Sequence, residues 1–186
     1  MNPIAEIVDH KRIVVCAGSG GVGKTTIAAS IAVRAALDGK KAAVLTIDPA
    51  HRLASSLGLK DLSNSPKKVN KRKFTAAGLA PAGELHAMML DTKSTFDEVV
   101  LRFAPTPEQA ERIIGNRFYR NISSTLSGTQ EYMAMEKLYE LHISGDYDII
   151  VIDTPPTRNA LDFLDSPRRL TNFLESRMLR WFLIPF

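Results

Sequence analysis

The chain has 186 residues, of which 45% are hydrophobic, and a formal net charge of +4. This length and composition suit one globular domain, and so mild a charge does not by itself indicate a nucleic-acid partner. The single cysteine, Cys16, excludes an internal disulfide framework and is typical of a reducing cytosol. The N-terminus lacks the features of a secretory signal, and no apolar run approaches the ~18 residues of a membrane span. We therefore expect a cytoplasmic protein with a buried, unreactive Cys16.

A phosphate-binding loop is the most informative motif. Residues 18–26 read Gly-Ser-Gly-Gly-Val-Gly-Lys-Thr-Thr and match the pattern G-x-x-x-x-G-K-[ST]. Residues 13–17 before the loop predict a buried strand, and residues 25–37 after it predict a helix. In this context the glycines let backbone N–H groups surround an anion at a helix N-terminus. The predicted nucleotide-binding residues are Gly18, Ser19, Gly20, Gly21, Val22, Gly23, Lys24, Thr25 and Thr26.

Alternating patterns along the rest of the chain predict the fold class. Three further strands are expected, at residues 42–47, 84–90 and 147–152. A short helix is expected at 50–59, another from near Asp91, and a helical insertion at about 105–145. Strands that alternate with helices predict a mostly parallel sheet with helices on both faces. The prediction is an α/β phosphate-loop NTPase, in one domain over residues 1–186.

Two segments allow more than one interpretation. Residues 60–83 predict a long loop, in which residues 67–73 carry five positive charges. Such a cluster is typical of a solvated loop, although it can also hold nucleic acid or acidic lipid. Further along, a stripe with helical spacing predicts core packing, or alternatively an adaptable peptide-binding groove. Its members are Met133, Met135, Leu138 and Leu141.

Two aspartates follow predicted strands. Because ligands of open parallel sheets bind beyond the carboxyl ends of the strands, Asp48 and Asp153 are expected near the phosphate loop. An aspartate that ends an apolar strand in this setting is a typical partner of Mg²⁺, and Asp153 fits this role. A helix cap is the alternative for Asp153. Asp48 is expected to orient the attacking water, or alternatively to begin a turn at Pro49.

Three segments together resemble the arsenite-pump ATPase family, which includes targeting factors for tail-anchored membrane proteins. They are the phosphate loop, Thr-Ile-Asp-Pro-Ala-His at 46–51 and Ile-Asp-Thr-Pro-Pro-Thr at 152–157. The resemblance spans about residues 13–164. It implies an ATPase that uses ATP and Mg²⁺ to gate a homodimer and a partner, either a hydrophobic protein client or a membrane-associated protein. No specific nucleic acid is implied.

The same resemblance assigns roles to individual residues. Lys24 and Asp48 would be catalytic, with Lys24 on the outer phosphates and Asp48 positioning or activating water. Thr25, Asp48 and Asp153 would hold the metal ion. The two switch segments, which respond to the γ-phosphate, would contain Asp48, Pro49, Asp153, Thr154, Pro156 and Thr157.

The chain departs from the family pattern at the loop and in its cysteines. Ser19 stands where relatives carry a lysine that reaches the partner subunit's nucleotide, so this cross-dimer charge is expected to be absent or to come from another residue such as Arg158. A three-thiolate arsenite site cannot be built from one cysteine per chain. The zinc-binding Cys-x-x-Cys of some eukaryotic targeting factors is also absent.

The third departure concerns the residues after the second switch. Relatives continue with further strands whose loops recognise adenine, and this sequence predicts none after Asp153. We expect weaker ATP affinity than in a full-length relative. Residues 166–183 or so predict a basic amphipathic helix, which suits a membrane anchor, a client groove or a core helix without its cover. Two alternative functions remain: a nucleotide-gated switch with little turnover, and a partition or membrane-positioning ATPase.

Overall fold

The computed structural model describes residues 3–48, 52–117, 119–120, 123 and 129–156. The strands are β1 (Ile13–Cys16), β2 (Lys41–Thr46), β3 (Lys67–Lys68), β4 (Glu84–Met89) and β5 (Ile149–Asp153). The helices include α1 (Pro3–His10), α2 (Lys24–Leu37), α3 (Arg52–Ser56), α4 (Lys71–Ala76), α5 (Thr92–Phe103), α6 (Pro107–Gly115) and α7 (Thr129–Ile143). No helix in these ranges is both long enough and apolar enough to cross a bilayer.

The strands form one sheet in the order β1-β5-β2-β4-β3. The first four are parallel, and the two-residue β3 runs antiparallel to β4 at the edge. In this register Asp153 at the end of β5 pairs with Cys16 on one side and with Thr46 on the other. The carboxyl ends of β1, β5 and β2 therefore meet at one edge, where the phosphate loop, Asp48 and Asp153 emerge.

Helices cover both faces of the sheet, because successive strand residues point to opposite sides. In β2, Ala42 and Val44 pack in the core formed with α1, α2, α3 and α4. Ala43 and Leu45 pack in the second core, formed with α5 and α7. The buried face of α2, rich in alanine, approaches β2 and β5 closely. The predicted α/β class with two covered faces is confirmed.

The methionine stripe belongs to this second core. Met133, Leu138 and Leu141 of α7 are buried, and Met135 is half-buried against the same cluster. They pack on strand residues such as Ile150 and Ile152. The core interpretation is therefore confirmed for the stripe.

The wider proposal of one domain with a helical insertion at about 105–145 stays a prediction, although α6 and α7 lie within that range.

The four predicted strands are confirmed, with ends that differ by one or two residues. The prediction of a loop over residues 60–83 was wrong, since this segment contains β3 and α4. The two residues of β3 are too few to show the alternation of polar and apolar side chains that identifies a strand. Helix α4 is short and mostly polar, so it shows no apolar stripe. Its order comes from Asn70, whose side chain accepts from the Arg72 N–H, and from Phe74, which is buried in the first core. Helix α1 was also missed; its buried anchor is Val8.

Several sequence predictions fall outside the described residues. They are the switch residues Pro49 and Thr157, the candidate cation Arg158, and the amphipathic helix at about 166–183. Within the described residues, β5 is the last strand in the chain.

Candidate functional site

The phosphate loop joins β1 to α2 through a backbone that turns at two glycines. Gly21 has φ 77° and Gly23, the residue before α2, has φ 90°. Both values lie in the left-handed region, which glycine adopts without the steric penalty of a side chain. A Cβ atom at either position would meet no atom within 4 Å. The backbone at both glycines is therefore accessible, and α2 begins immediately after Gly23 with its unpaired N–H groups.

Lys24 closes the loop on itself. Its Nζ atom donates a hydrogen bond of 2.9 Å to the carbonyl oxygen of Ser19. The cation is therefore held beside the loop rather than extended into water. Gly20 lies against the segment after β5, since a Cβ atom at Gly20 would be 3.9 Å from Pro156. The loop thus lies next to the second predicted switch segment.

An open cleft of ≈ 500 Å³ lies at this edge of the sheet. Its lining residues are Gly21, Gly23, Lys24, Thr25, Thr26, Asp48, Arg52, Ser55, Ser56, Thr154 and Pro156. Most of them are polar, and both lysine and arginine cations are present, so the cleft suits an anionic ligand. The structure brings eight of the predicted site residues to this lining. Gly18, Ser19, Gly20 and Val22 belong to the same loop without lining the cleft.

Asp153 lies behind the cleft and is completely buried. Its Oδ2 atom accepts a 3.0 Å hydrogen bond from the Thr46 hydroxyl. Its Oδ1 atom is buried with no hydrogen-bond partner among the described residues. Burial raises the pKa of Asp153, and hydrogen bonds from the Thr25 and Thr46 hydroxyls oppose this shift. Thr25, whose hydroxyl lies near Asp153, also lines the cleft.

Asp48 follows β2 and lies in the cleft wall. Its backbone N–H donates to the Thr46 hydroxyl oxygen at 3.1 Å, so Thr46 links Asp48 to Asp153. Its Oδ2 atom accepts a 3.0 Å hydrogen bond from Arg52 Nη1. The Asp48 side chain is 14% exposed and that of Arg52 is 64% exposed. The proposed water-orienting carboxylate is therefore held by a cation from α3.

The segment after β5 is tied to the strand that precedes the phosphate loop. Thr154 donates to the Cys16 carbonyl oxygen twice, from its backbone N–H at 3.2 Å and from its hydroxyl at 2.9 Å. Cys16 itself is half-buried, and burial raises the pKa of its thiol to about 11. Because the thiolate is the reactive form, this shift agrees with the expected unreactive Cys16.

The donor set suits a hard divalent cation that is shared with phosphate. The unpaired Asp153 Oδ1, the Thr25 hydroxyl and the Asp48 carboxylate are oxygen donors, which Mg²⁺ prefers. No group of three or more His, Cys, Asp or Glu in the described ranges is arranged to hold a metal ion by itself. Magnesium characteristically completes its shell with water and substrate phosphates, so the arrangement fits Mg²⁺ held together with a nucleotide.

Sequence reasoning missed four residues of this site. Arg52, Ser55 and Ser56 line the cleft from α3, and Thr46 connects the two aspartates. A signal was available only for Thr46, a hydroxyl that ends an apolar strand. The other three depend on how α3 packs over the loop, and no local pattern reports that packing.

Comparison with known proteins identifies the family. Residues 11–182 match the model of the anion-transporting ATPases. The chain belongs to this ATPase family. Among its relatives, the ATPase GET3 of Malassezia globosa is 31% identical over 175 residues, which cover 92% of this chain and 47% of that protein. An ATPase ASNA1 homolog of Cryptosporidium parvum is 33% identical over 153 residues, 82% of this chain and 37% of that protein.

A Prosthecochloris vibrioformis protein, provisionally named an arsenical pump-driving ATPase, is 29% identical over 160 residues, 86% of this chain and 36% of that protein. The chain thus spans half or less of the length of these relatives, between 36% and 47%. The three sequence segments predicted the arsenite-pump ATPase family, and the match to the anion-transporting ATPases confirms this prediction.

Proposed function

We propose that this chain binds ATP together with Mg²⁺ and hydrolyses it to ADP and phosphate in the cytoplasm. The observation that carries the proposal is the juxtaposition at one sheet edge: an accessible loop backbone at Gly21 and Gly23, the Lys24 cation, and the carboxylates of Asp48 and Asp153. Hydrolysis would control a homodimer and a partner, as the family resemblance implies.

Binding would begin at the loop. The N–H groups of residues 18–26 would surround the phosphates, and Lys24 would leave the Ser19 carbonyl oxygen for the outer phosphates. Thr25 and Asp153, with Asp48 nearby, would hold the metal ion. Mg²⁺, when bound, would neutralise negative charge on the phosphate oxygens. A bound cation would also compensate the buried Asp153 carboxylate, whose Oδ1 has no partner in the described part of the chain.

Turnover would require a water molecule in line with the γ-phosphate. The water oxygen attacks the γ-phosphorus, and the bond from that phosphorus to the β,γ-bridging oxygen breaks. Asp48 would align the water through its carboxylate, and Lys24 would stabilise charge on the phosphoryl oxygens. Thr154 and Pro156 line the same cleft, which supports a role for their segment as the second switch, responding to loss of the phosphate.

A nucleotide-gated switch with little turnover is the second candidate. Two features favour it: Ser19 replaces the family lysine, and Arg52 occupies the Asp48 carboxylate. In such a switch, nucleotide binding alone would change the state of the protein. Both candidates use the same binding residues, so they differ only in the rate of phosphate release.

Asp48→Asn separates the two candidates. If the chain is an ATPase, this substitution is expected to lower the rate of phosphate release roughly 100-fold and to change ATP affinity only a few-fold. Phosphate release and calorimetric titration measure the two quantities. Asp38→Asn is the matched control, because Asp38 also pairs with an arginine four residues away. Equal, near-background rates for Asp48→Asn and the unmodified chain would indicate the switch instead.

Exposed apolar side chains support the proposed homodimer and client. Val22 and Ile27, 60% and 49% exposed, lie on and just beyond the phosphate loop, where a second subunit would cover them. Another set lies on α5 and α7, where an apolar client would bind. That set is Leu101, Phe103, Tyr139 and Ile143.

A further inference from the structure

The cleft contains a second cation besides the loop lysine. Among the lining residues that the structure describes, Lys24 and Arg52 carry positive charge. They lie on different elements, Lys24 at the start of α2 and Arg52 at the start of α3. The Arg52 side chain is 64% exposed, so most of it faces the open cleft and water. The charge of this residue is therefore available to a ligand in the cleft.

Arg52 uses little of its hydrogen-bonding capacity. Its Nη1 atom donates to Asp48 Oδ2, and neither Nε nor Nη2 donates to another of the described residues. A guanidinium group has five N–H donors in a planar fork. The Asp48 side chain is 14% exposed, whereas the Arg52 side chain lies largely in water and makes one hydrogen bond to it. Because most of its N–H donors are unused, Arg52 can exchange this contact for the terminal phosphate of a ligand.

We propose that Arg52 senses the γ-phosphate: it leaves Asp48 to bind the terminal phosphate of a triphosphate. The inference rests on the proposed function and names the residue that distinguishes ATP from ADP. A terminal phosphate carries more negative charge than a carboxylate, and arginine binds phosphate oxygens bidentately. Ser19 leaves this chain without the family lysine, so a cation for the transferring phosphoryl group must come from another position.

A purely structural ion pair is the competing explanation, and the chain offers a matched example. Arg34 Nε donates to Asp38 Oδ2 at 2.7 Å, also with a spacing of four residues. The side chains of that pair are 48% and 27% exposed. It lies at the C-terminal end of α2, whereas the phosphate loop precedes the N-terminal end. Arg34→Ala therefore controls for loss of an exposed pair away from the cleft.

Calorimetric titration of the 186-residue chain tests the proposal, with Mg²⁺ and either ADP or the non-hydrolysable analogue AMP-PNP. Arg52→Ala is expected to weaken AMP-PNP binding about tenfold or more, the effect of losing a hydrogen bond to a charged group. Binding of ADP, which lacks the γ-phosphate, should change less than about twofold. Arg52→Lys should recover part of the loss, since it keeps the charge without the fork. Arg34→Ala should leave both affinities unchanged.

Four outcomes would overturn the proposal. If Arg52→Ala leaves AMP-PNP affinity unchanged, or weakens ADP and AMP-PNP equally, Arg52 does not sense the γ-phosphate, while the proposed function stands. If the unmodified chain binds neither nucleotide, the proposed function fails and this inference fails with it. A loss in Arg34→Ala as large as in Arg52→Ala would assign the effect to general destabilisation.

Discussion

Individual residues in the site are arranged for a ligand rather than for stability. Asp153 is fully buried, and one of its carboxylate oxygens has no partner among the described residues. An unpaired buried oxygen costs free energy, and for a charged group the cost is larger. Thr46 offsets part of it by donating to the other oxygen. We infer that a metal cation, bound together with the nucleotide, offsets the free-energy cost of the unpaired Asp153 oxygen.

Asp153→Asn is expected to stabilise the nucleotide-free protein at pH 7, which raises Tm above that of the unmodified chain. Burial raises the pKa of Asp153, so the ionised form is disfavoured in the folded state, and the amide carries no charge. The stability gain should shrink as pH falls through the raised pKa, because the unmodified carboxyl group is then protonated. Thermal unfolding at several pH values measures it.

The same variant should lose Mg²⁺-dependent nucleotide binding, since a metal-ligand candidate is gone. Asp146→Asn is the control, because that carboxylate is 63% exposed and its loss should change stability by less than about 0.5 kcal/mol. A lower Tm for Asp153→Asn at pH 7 would contradict the interpretation of Asp153 as a strained, ligand-directed group.

At the scale of elements, the edge strand β3 shows what part of the basic cluster does. The exposed Lys67 and Lys68 of β3 lie at the edge of the sheet, where lysines discourage pairing with other chains. Lys68 also forms an ion pair with Glu84. These two lysines are therefore explained by their place at the sheet edge, without a nucleic-acid ligand.

A close contact near Gly83 joins two other elements. The Gly83 N–H donates to the Ala36 carbonyl oxygen at 2.8 Å, which ties the start of β4 to the end of α2.

Gly83→Ala is expected to lower the free energy of unfolding by about 3 kcal/mol. A Cβ atom at this position would lie 2.2 Å from the Lys40 carbonyl oxygen, a backbone atom that cannot move without disturbing β2. Urea denaturation measures the change. Gly115→Ala is the matched control at the end of α6, where a Cβ atom meets nothing within 4 Å; it should be neutral or stabilising by up to about 1 kcal/mol. Equal stabilities for the two variants would refute the crowding at Gly83.

Across the whole molecule, the sheet has two well-covered faces, and apolar side chains remain exposed beside the phosphate loop. Every residue of β5 is buried, because helices lie on both faces and strands on both sides. By contrast, Val22 and Ile27 expose most or half of their surface. Burying such side chains in an interface is favourable at about 25 cal/mol per Å² of apolar surface. The proposed homodimer would place a second subunit there.

Ile27→Glu is expected to reduce the dimer formed with Mg²⁺ and AMP-PNP at least tenfold, because a carboxylate would be buried in the interface. Sedimentation velocity measures the dimer fraction. Folding should change by less than about 0.5 kcal/mol, since this side chain is half-exposed. Leu101→Glu, at a 57% exposed position on α5, should leave the dimer intact. An unchanged sedimentation profile for Ile27→Glu would exclude this surface from the dimer.

The sequence by itself determined the α/β class, the four long strands, the position of the phosphate loop and the family. Each of these depends on local signals: apolar runs, glycine spacing and the residues that end each strand. The wrong loop prediction at residues 60–83 shows where such signals fail, because β3 and α4 are ordered by the strand and core they pack against.

Only the tertiary structure decided which side chains meet. Thr46 bridges Asp48 and Asp153 because β2 and β5 are neighbours in one register, although Thr46 and Asp153 are 107 residues apart. Arg52 reaches the cleft because α3 packs beside α2. Residues distant in sequence come together through burial of two apolar faces, and that burial depends on all strands and helices at once. Local pattern therefore predicted the phosphate loop and the two aspartates, and packing supplied the threonine and arginine that contact them.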